Sequence, residues 1–331
     1  MGRHDRELAA GIDAVRAAAR ICRTVARRLV TADTLEKKDQ SPVTVADFAS
    51  QAIVCALLEA ELPRDPVVGE ESAKALREAS QSGLRASVVE IVREQLERDV
   101  DADEVLGWID RGNAEARGGR YWTLDPIDGT KGFLRGEQYA VALALIEDGD
   151  VSLGVLGCPN LPEGDGVGAL FCAERGGRAL GRSLWSDTAP AHPVAVGDIT
   201  VAAQARFCES VESGHSDQDE SARVAELLGI RSEPYRIDSQ CKYAAVARND
   251  ASIYLRLPTR ADYREKIWDH AAGKLLVESA GGVVTDVDGR PLDFTRGRTL
   301  ERNRGVVATG GTIHAEVLAA VQRARAERGS A

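Results

Sequence analysis

The spacing of apolar residues near the start of the chain predicts two helices. Over residues 7–30, apolar side chains recur every three or four positions and arginines occupy the other face, which predicts an amphipathic helix. Pro42 cannot continue a helix, so the pattern is interrupted there. A second helix is predicted over residues 48–62, with Thr44 or Asp47 as its cap.

Short apolar runs bounded by turn residues predict strands in the rest of the first half. The runs lie at residues 66–69, 121–124, 139–147 and 151–157. The turn sequence Asp148-Gly149-Asp150 between the last two runs is typical of a β-hairpin. Helical spacing at residues 74–79 and 84–98 predicts two helices, which we expect to form a surface insertion.

The second half of the chain alternates between strand and helix patterns. Strands are predicted near residues 199–203, 235–237, 251–256 and 282–286, and helices near residues 219–228, 241–247 and 269–279. Such alternation is typical of an α/β layer. The polar segment 186–193 carries two prolines and is predicted to be a linker. We therefore expect an α/β protein with an α+β N-terminal domain over residues 1–185 and an α/β domain over residues 190–331.

Composition excludes several classes of function. The 331 residues carry 42 Lys and Arg against 52 Asp and Glu, a net charge of −10, so the chain is a poor partner for nucleic acid or anionic membrane. The apolar runs are too short to span a bilayer, and the first residues do not resemble a signal peptide. Six scattered cysteines without a C-x-x-C pair indicate reduced thiols and a cytoplasmic location, and make a thiolate zinc site improbable.

Three acidic segments lie where a predicted strand stops or a predicted helix begins. They are Glu70-Glu71, Asp125-Pro126-Ile127-Asp128 and the Asp269 of Trp268-Asp269-His270. In α/β folds these ends converge on one crevice, where carboxylates repel one another unless a cation neutralises them. Carboxylate ligands favour Mg²⁺ or Mn²⁺, and two such ions about 4 Å apart stabilise in-line phosphoryl transfer. If a helix begins after Asp128, the amides of Gly129 and Thr130 add an anion site.

Each acidic segment also has an ordinary structural interpretation. Asp125–Gly129 taken alone is a good turn sequence, Glu70-Glu71 is typical of a solvated pair, and Asp269 suits the first turn of a helix. The functional interpretation depends on all three together. Two glycine-containing segments are not assigned a ligand: 286–289 is predicted to be a hairpin turn, and 164–168 is predicted to be a loop.

The motifs around these acids resemble the inositol monophosphatase-like superfamily of Mg²⁺-dependent, lithium-sensitive phosphatases. The resemblance is carried by Val68-Gly69-Glu70-Glu71-Ser72, by residues 124–133 and by Trp268-Asp269-His270-Ala271-Ala272-Gly273. Segments 41–47, 134–139, 238–243, 254–258, 265–269 and 291–298 are similar to its 3′(2′),5′-bisphosphate nucleotidase branch. This resemblance implies a layered αβαβα sandwich of the inositol monophosphatase and fructose-1,6-bisphosphatase type.

The resemblance also implies a role for each matching residue. The first Mg²⁺ would be held by Glu70, Asp125 and the backbone carbonyl of Ile127. The second would be held by Asp125, Asp128 and Asp269, and a third ion near Glu70 is compatible with the pattern. Asp47 and Thr130 would orient and deprotonate the attacking water. The residues implied to contact substrate are Asp128, Gly129, Thr130, His215, Ser239, Lys242, Arg256 and Asp269.

The resulting hypothesis is a cytoplasmic, monomeric phosphatase of sulfur metabolism. It would remove the 3′-phosphate of adenosine 3′,5′-bisphosphate to give AMP, with 3′-phosphoadenylyl sulfate as a second candidate substrate. Mg²⁺ is the expected cofactor, Mn²⁺ is its alternative, and lithium is the expected inhibitor. Two alternatives stay open: an inositol phosphate phosphatase of the same superfamily, and a non-catalytic protein that senses nucleotide.

Overall fold

The computed structural model describes residues 3–31, 42–116, 118–211, 218–260 and 262–329. In these residues helices and sheets alternate in five layers, in the order helix, sheet, helix, sheet, helix. The αβαβα arrangement implied by the sequence is thereby confirmed. Within the described part of the chain, no helix is both long and apolar enough to cross a membrane.

The first layer is a pair of long helices, α1 (Asp5–Thr31) and α2 (Pro42–Glu61), flanked by α3 (Ser82–Leu96) and α4 (Ala102–Arg111). α2 begins at Pro42, so the predicted start at residue 48 is wrong. Proline is tolerated in the first helical turn because the amide it lacks would have no partner there. Asp47 is therefore inside the helix, not at its cap. The predicted helix at 74–79 is two short 3₁₀ turns, and α4 was not predicted.

The second layer, among the described residues, is a seven-stranded sheet in which the strands follow chain order. The strands are β1 (Val67–Gly69), β2 (Arg120–Asp128), β3 (Ala140–Glu147), β4 (Asp150–Glu163), β5 (Gly166–Glu174), β6 (Leu180–Ser183) and β7 (His192–Pro193). β1 runs parallel to β2, and the other neighbours are antiparallel. β4 ends at Glu163 and β5 begins at Gly166, so the loop predicted at 164–168 is only a tight turn.

The alternation of side chains along β3 explains how a helix can approach the sheet closely. Val141, Leu143 and Leu145 face the α1 and α2 core, whereas the alanines between them face the opposite way. Because side chains of a strand point alternately to its two faces, the alanine face leaves room for the middle helical layer. That layer consists of α7 (Cys241–Ala247) and α8 (Ala271–Ser279), both packed between the two sheets.

The described part of the second half contains a five-stranded sheet with strand order β11-β12-β10-β8-β9. Its strands are β8 (Phe207–Glu209), β9 (Tyr235–Arg236), β10 (Ile253–Arg256), β11 (Gly282–Thr285) and β12 (Val306–Gly310). The outer helices are α6 (Gln218–Leu228) and α9 (His314–Gly329). The strand predicted at 199–203 is wrong: a 3₁₀ turn at Ala202–Gln204 precedes β8. Segment 286–290 forms the predicted turn.

Candidate active site

A cavity of about 370 Å³ opens at the end of β2. It is bordered by the starts of the short helix α5 (Thr130–Leu134) and of α7, and by the segment that precedes α8. Ten of the predicted site residues line it: Glu70, Asp125, Ile127, Asp128, Gly129, Thr130, Ser239, Lys242, Arg256 and Asp269. Asp47 lies beside the cavity on α2, close enough to Glu70 and Glu71 for their charges to act on it. His215 is outside the described residues.

The segment Asp125–Thr130 is the end of a strand followed by the start of a helix. β2 continues through Asp128, with a register shift against β3 between Asp125 and Asp128. The Asp125 carboxylate accepts a hydrogen bond from the Ile127 amide at 3.1 Å, which fixes its orientation. The interpretation of this segment as an isolated turn is therefore wrong.

Glycine is required immediately after this strand. Gly129 has φ of +87°, and a Cβ atom there would lie 2.9 Å from the Cβ of Ser239. Both the backbone conformation and the close contact exclude a larger residue. Gly129 thus allows the α5 segment to approach the segment that carries Ser239, and the two sides of the cavity meet there.

The pair Glu70-Glu71 follows β1 and is held by a buried glutamine of α2. Gln51 accepts a hydrogen bond from the Glu71 amide at 3.0 Å and donates to the carbonyls of Glu71 at 2.6 Å and Ile109 at 2.8 Å. A Cβ atom at Gly69 would lie 2.4 Å from the Gln51 side-chain oxygen. The backbone of the pair is therefore fixed to α2 and α4, and Glu70 lines the cavity while it keeps an exposed surface.

Asp269 was expected in the first turn of a helix, but it precedes α8 by two residues. The side chain of Gln240 donates to the Trp268 carbonyl at 2.8 Å and accepts from the Gly273 amide at 3.0 Å. The Gln240 backbone amide donates to the Asp128 carboxylate. One buried glutamine thereby sets the position of the second acidic segment relative to the third.

Mutual repulsion and burial hold protons on the acidic groups. Burial and the charges of Glu71 and Glu70 raise the pKa of Asp47 to about 8. Burial, with the charges of Glu71 and Asp128, raises the pKa of Glu70 to about 7. Burial also raises the pKa of Asp269 to about 7, although His270 opposes that shift. The pKa of Asp125 is raised well above its usual range by burial and by four neighbouring carboxylates.

The opposite wall of the cavity is basic. Lys242 and Arg256 line it, and burial lowers the pKa of Lys242 while the charge of Asp128 opposes the shift. Arg256 lies 3.3 Å from Glu265. Burial acts to lower the pKa of Arg256, but Glu265, Asp269 and other neighbouring groups together outweigh burial and raise that pKa. Ser239 adopts φ of +65°, a conformation that non-glycine residues rarely take. The cavity therefore presents carboxylates on one side and cations on the other.

The carboxylate side fits a hard divalent cation. Glu70, Asp125, Asp128 and Asp269 offer only oxygen ligands. Burial raises the pKa of all four, and neighbouring carboxylates add to the shifts of Glu70, Asp125 and Asp269. Glu265, Asp269 and His270 also bring one ligand atom each within 4.8 Å of one another. However, the His270 ring nitrogens lie 2.7 Å from the Tyr243 hydroxyl and 3.2 Å from the Glu265 carboxylate. We therefore interpret Glu265 and His270 as residues that hold the segment around Asp269 in place, not as metal ligands.

Comparison with known proteins identifies the family. The sequence profile of the inositol monophosphatase family matches residues 4–326. The chain belongs to the inositol monophosphatase family. Among solved structures, an inositol monophosphatase from Zymomonas mobilis and SuhB from Mycobacterium tuberculosis match it with TM-scores of 0.65 and 0.62, both at 19% identity. The first match covers 97% of this chain and 100% of the other, and the second covers 96% of each. These matches establish the shared fold.

Curated relatives are much closer in sequence. The protein named 3′(2′),5′-bisphosphate nucleotidase from Emericella nidulans is 46% identical over 319 residues, covering 88% of this chain and 90% of the relative. A protein of the same name from Schizosaccharomyces pombe is 45% identical, with 96% of this chain and 95% of the relative covered. The family expected from the sequence motifs is confirmed. Inositol monophosphatase family proteins depend on metal ions, which agrees with the acidic cluster.

In this member of the inositol monophosphatase family, sequence reasoning missed a positioning residue that connects two acidic segments. The Arg298 guanidinium donates to the Gly69 carbonyl, donates to the Gly112 carbonyl at 3.3 Å, and lies 4.8 Å from the centre of the Trp268 ring. It thereby connects the residue before Glu70 with the residue before Asp269. Gln51 and Gln240 were missed in the same way, because a single polar residue inside a helix or before one gives no periodic signal.

Proposed function

We propose that this protein hydrolyses the 3′-phosphate of adenosine 3′,5′-bisphosphate to give AMP and phosphate. The observation that carries the proposal is one cavity with carboxylates on one wall, among them the buried Asp125, and two cations on the other, the buried Lys242 and the half-buried Arg256. A substrate with two phosphate groups requires both walls: the carboxylate wall to hold metal ions at the phosphate that is cleaved, and the cations to bind the phosphate that is retained. Identity of 44–46% with proteins named 3′(2′),5′-bisphosphate nucleotidase, over nearly the whole chain, supports it.

We propose Mg²⁺ as the cofactor, in two or three sites, with Mn²⁺ as a substitute. Glu70, Asp125 and the Ile127 carbonyl would hold one ion, and Asp125, Asp128 and Asp269 would hold another. Bound divalent ions lower the pKa of a coordinated water and neutralise charge on the phosphoryl group. Competition from a small monovalent cation at such a site would explain sensitivity to lithium.

The protein groups beside the scissile phosphate orient and deprotonate water in this proposal. Asp47 and Thr130 position the attacking water, and the Asp47 carboxylate accepts its proton. The water oxygen forms the new bond to phosphorus on the side opposite the 3′-oxygen. The bond from phosphorus to the 3′-oxygen breaks, and that oxygen takes up a proton and leaves as the hydroxyl of AMP. Gly129 and Thr130 donate hydrogen bonds to the phosphoryl oxygens.

Recognition of the retained 5′-phosphate is assigned to Ser239, Lys242 and Arg256. Charge-assisted hydrogen bonds from an ammonium and a guanidinium are among the stronger contacts available to a phosphate. Burial of Lys242 strengthens this contact because less water competes for the charge. His215, which the resemblance places near the nucleoside, stays a sequence-based proposal.

We propose a division into two domains, residues 1–185 and 190–331, which places the two sheets in different domains. The exception is β7, which lies within the predicted linker and pairs with β6 of the first sheet. In this division the first domain supplies most carboxylates, and the second supplies Asp269 and the proposed nucleotide contacts. A monomer is the simplest form of the proposal, since every assigned group belongs to one chain. The cytoplasmic location stays a prediction from the scattered cysteines, which are free thiols in the structure.

Phosphate release from a substrate panel tests the function. The panel contains adenosine 3′,5′-bisphosphate, inositol 1-phosphate and inositol 1,4-bisphosphate, each with Mg²⁺, with chelator and with added lithium. The proposal predicts Mg²⁺-dependent, lithium-inhibited release, fastest by far from the adenosine bisphosphate. Faster release from an inositol phosphate would contradict the assignment of Ser239, Lys242 and Arg256. No release from any substrate would favour a nucleotide-sensing protein.

A further inference from the structure

A buried carboxylate that the proposed mechanism does not use connects the two walls of the cavity. The Nε of Arg256 donates to the Glu265 Oε1 at 3.3 Å, and the Glu265 Oε2 lies 3.2 Å from the Nε2 of His270. Arg256 belongs to the basic wall, and His270 directly follows the proposed metal ligand Asp269 in the chain. Glu265 therefore contacts both the cation proposed to hold the retained phosphate and the segment proposed to hold the metal.

The groups around Glu265 are packed tightly. The side chains of Glu265 and His270 are 5% and 2% exposed. The second ring nitrogen of His270 lies 2.7 Å from the Tyr243 hydroxyl, and a Cβ atom at Gly273 would lie 2.3 Å from the Tyr243 ring. The Leu300 amide donates to the Glu265 carbonyl at 2.8 Å. Because buried, close-packed groups have little room to rearrange, Glu265 stays in contact with both of its partners.

Glu265 also lies close enough for its charge to act on Asp269. Burial acts to raise the pKa of Glu265, but His270 and Arg256 outweigh burial and lower that pKa, so the carboxylate is ionised. Burial raises the pKa of Asp269, and among its neighbours Glu265 adds to the shift whereas Arg256 opposes it. Charges interact strongly at such a site because little water screens them. The effect of Glu265 on Asp269 thus depends on how much of its charge Arg256 compensates.

We propose that Glu265 couples binding of the retained phosphate at Arg256 to binding of a divalent cation at Asp269. This inference rests on the proposed function. A phosphate at Arg256 takes up part of the guanidinium charge that otherwise compensates Glu265. The negative potential of Glu265 at Asp269 then increases, and Asp269 binds the cation more tightly. Glu265 is a positioning residue that touches no substrate, and it makes the metal site strongest when a ligand with the retained phosphate is bound.

Calorimetric titration with Mg²⁺ in the presence of AMP or of adenosine tests the coupling. The two ligands differ only in the 5′-phosphate, and neither carries a 3′-phosphate that could be cleaved. We expect free Mg²⁺ to bind the wild type about fivefold more tightly with AMP than with adenosine. Glu265→Gln keeps the size of the side chain but removes its charge, so this difference should fall below about twofold.

The matched control is Glu278→Gln. It removes another carboxylate, which pairs with Lys274 at 2.6 Å on α8 and does not line the cavity. The control should keep the full difference between AMP and adenosine.

A second variant addresses the other end of the connection. Arg256→Gln removes the compensating cation, so in the absence of nucleotide Mg²⁺ should bind about threefold more tightly than to the wild type. In a Glu265→Gln background the same replacement should have less than about half of that effect, because no charge at position 265 is released. An unchanged or weaker affinity in Arg256→Gln alone overturns the inference, even if Glu265→Gln does not fold.

Three further results would overturn the inference: equal Mg²⁺ affinities with AMP and adenosine in the wild type, a difference that persists in Glu265→Gln, and an equal loss in the control. None of these measurements depends on turnover. A wild type that shows the coupling but releases phosphate from no substrate would refute only the proposed function. A wild type that hydrolyses adenosine 3′,5′-bisphosphate without the coupling would refute only the role of Glu265.

Discussion

Asp125 is the residue on which the largest number of site interactions converge. The residue is 3% exposed, and the pKa of its carboxyl group is raised by burial and by Glu70, Asp128, Asp269 and Asp47. The same carboxylate is proposed to serve both ions. In the absence of metal it is destabilising, and in its presence it is needed for function. These opposite effects can be measured separately.

Replacement Asp125→Asn should therefore abolish turnover while stabilising the metal-free protein. We expect kcat to fall about a thousandfold or more, since several kcal/mol of charge stabilisation are lost. The melting temperature in chelator should rise by about 2 °C, because an amide avoids the cost of keeping a proton on the buried Asp125 carboxyl group at a pH where the unfolded chain has lost it. Turnover assays and thermal unfolding at pH 8 check both effects. A variant that keeps a tenth of wild-type turnover would contradict the assignment.

Arg298 offers a second test at the scale of the residue. Arg298 joins the segment before Glu70 to the segment before Asp269. Arg298→Ala should therefore weaken Mg²⁺ binding about tenfold, which is the usual loss when a group that orients metal ligands is removed. Arg298→Lys should recover only part, because a lysine lacks the planar fork that reaches two carbonyls. Calorimetric Mg²⁺ titration measures the affinity. The matched control is Arg302→Ala, an exposed arginine of the same segment, and equal losses in both would refute the role.

At the scale of elements, α2, β1 and α4 are joined through Gln51. This side chain is fully buried and makes three hydrogen bonds to the backbone of Glu71 and Ile109. Gln51→Leu keeps the volume but leaves buried backbone groups without partners. We expect the free energy of unfolding to fall by about 2–4 kcal/mol. Urea unfolding measures the loss, and Gln322→Leu on the exposed face of α9 should change it by less than about 0.5 kcal/mol.

The elements predicted best were those with strong periodicity. α1, α6 and α7 were predicted within one or two residues of their observed bounds. The start of α2 was misplaced because Pro42 both interrupts a helix and suits its first turn. The strand predicted at 199–203 was wrong because a short run of β-branched residues does not specify hydrogen-bonded neighbours. Sequence periodicity reports burial, whereas strand pairing depends on distant segments.

In the site, too, features that depend on neighbouring residues in the sequence were predicted, whereas contacts between distant segments were not. The acidic segments were found because each carries its carboxylates within a few residues of a strand end or of a helix start. Gln51, Gln240 and Arg298 act on segments between 20 and 229 positions away. No local pattern reveals such a contact. The charged groups of the cavity could therefore be predicted, but not the polar residues that position them.

At the scale of the whole molecule, the acidic cavity makes stability depend on pH. Glu70 and Asp269 have pKa values of about 7, and Asp47 has a pKa of about 8. In the folded protein these groups keep protons that carboxyl groups of the unfolded chain lose near pH 4. The folded state then binds more protons than the unfolded state, so stability falls as pH rises. In chelator the melting temperature should decrease between pH 6.5 and 8.

Added Mg²⁺ should reverse this decrease, because a bound cation replaces the lost protons. Stabilisation by Mg²⁺ should be larger at pH 8 than at pH 6.5. Asp125→Asn should flatten the dependence measured in chelator. A melting temperature in chelator that is constant or rises over this range would show that the carboxylates do not repel one another in the folded protein.

The central claim is that the carboxylate wall takes the 3′-phosphate while the basic wall retains the 5′-phosphate. Phosphorus NMR of adenosine 3′,5′-bisphosphate during incubation with the protein and Mg²⁺ tests it most directly, because the two phosphate signals are separate. We predict that the 3′ signal disappears, that inorganic phosphate grows in equal amount, and that the 5′ signal becomes that of AMP. Loss of the 5′ signal first, or no change in either, would contradict the account.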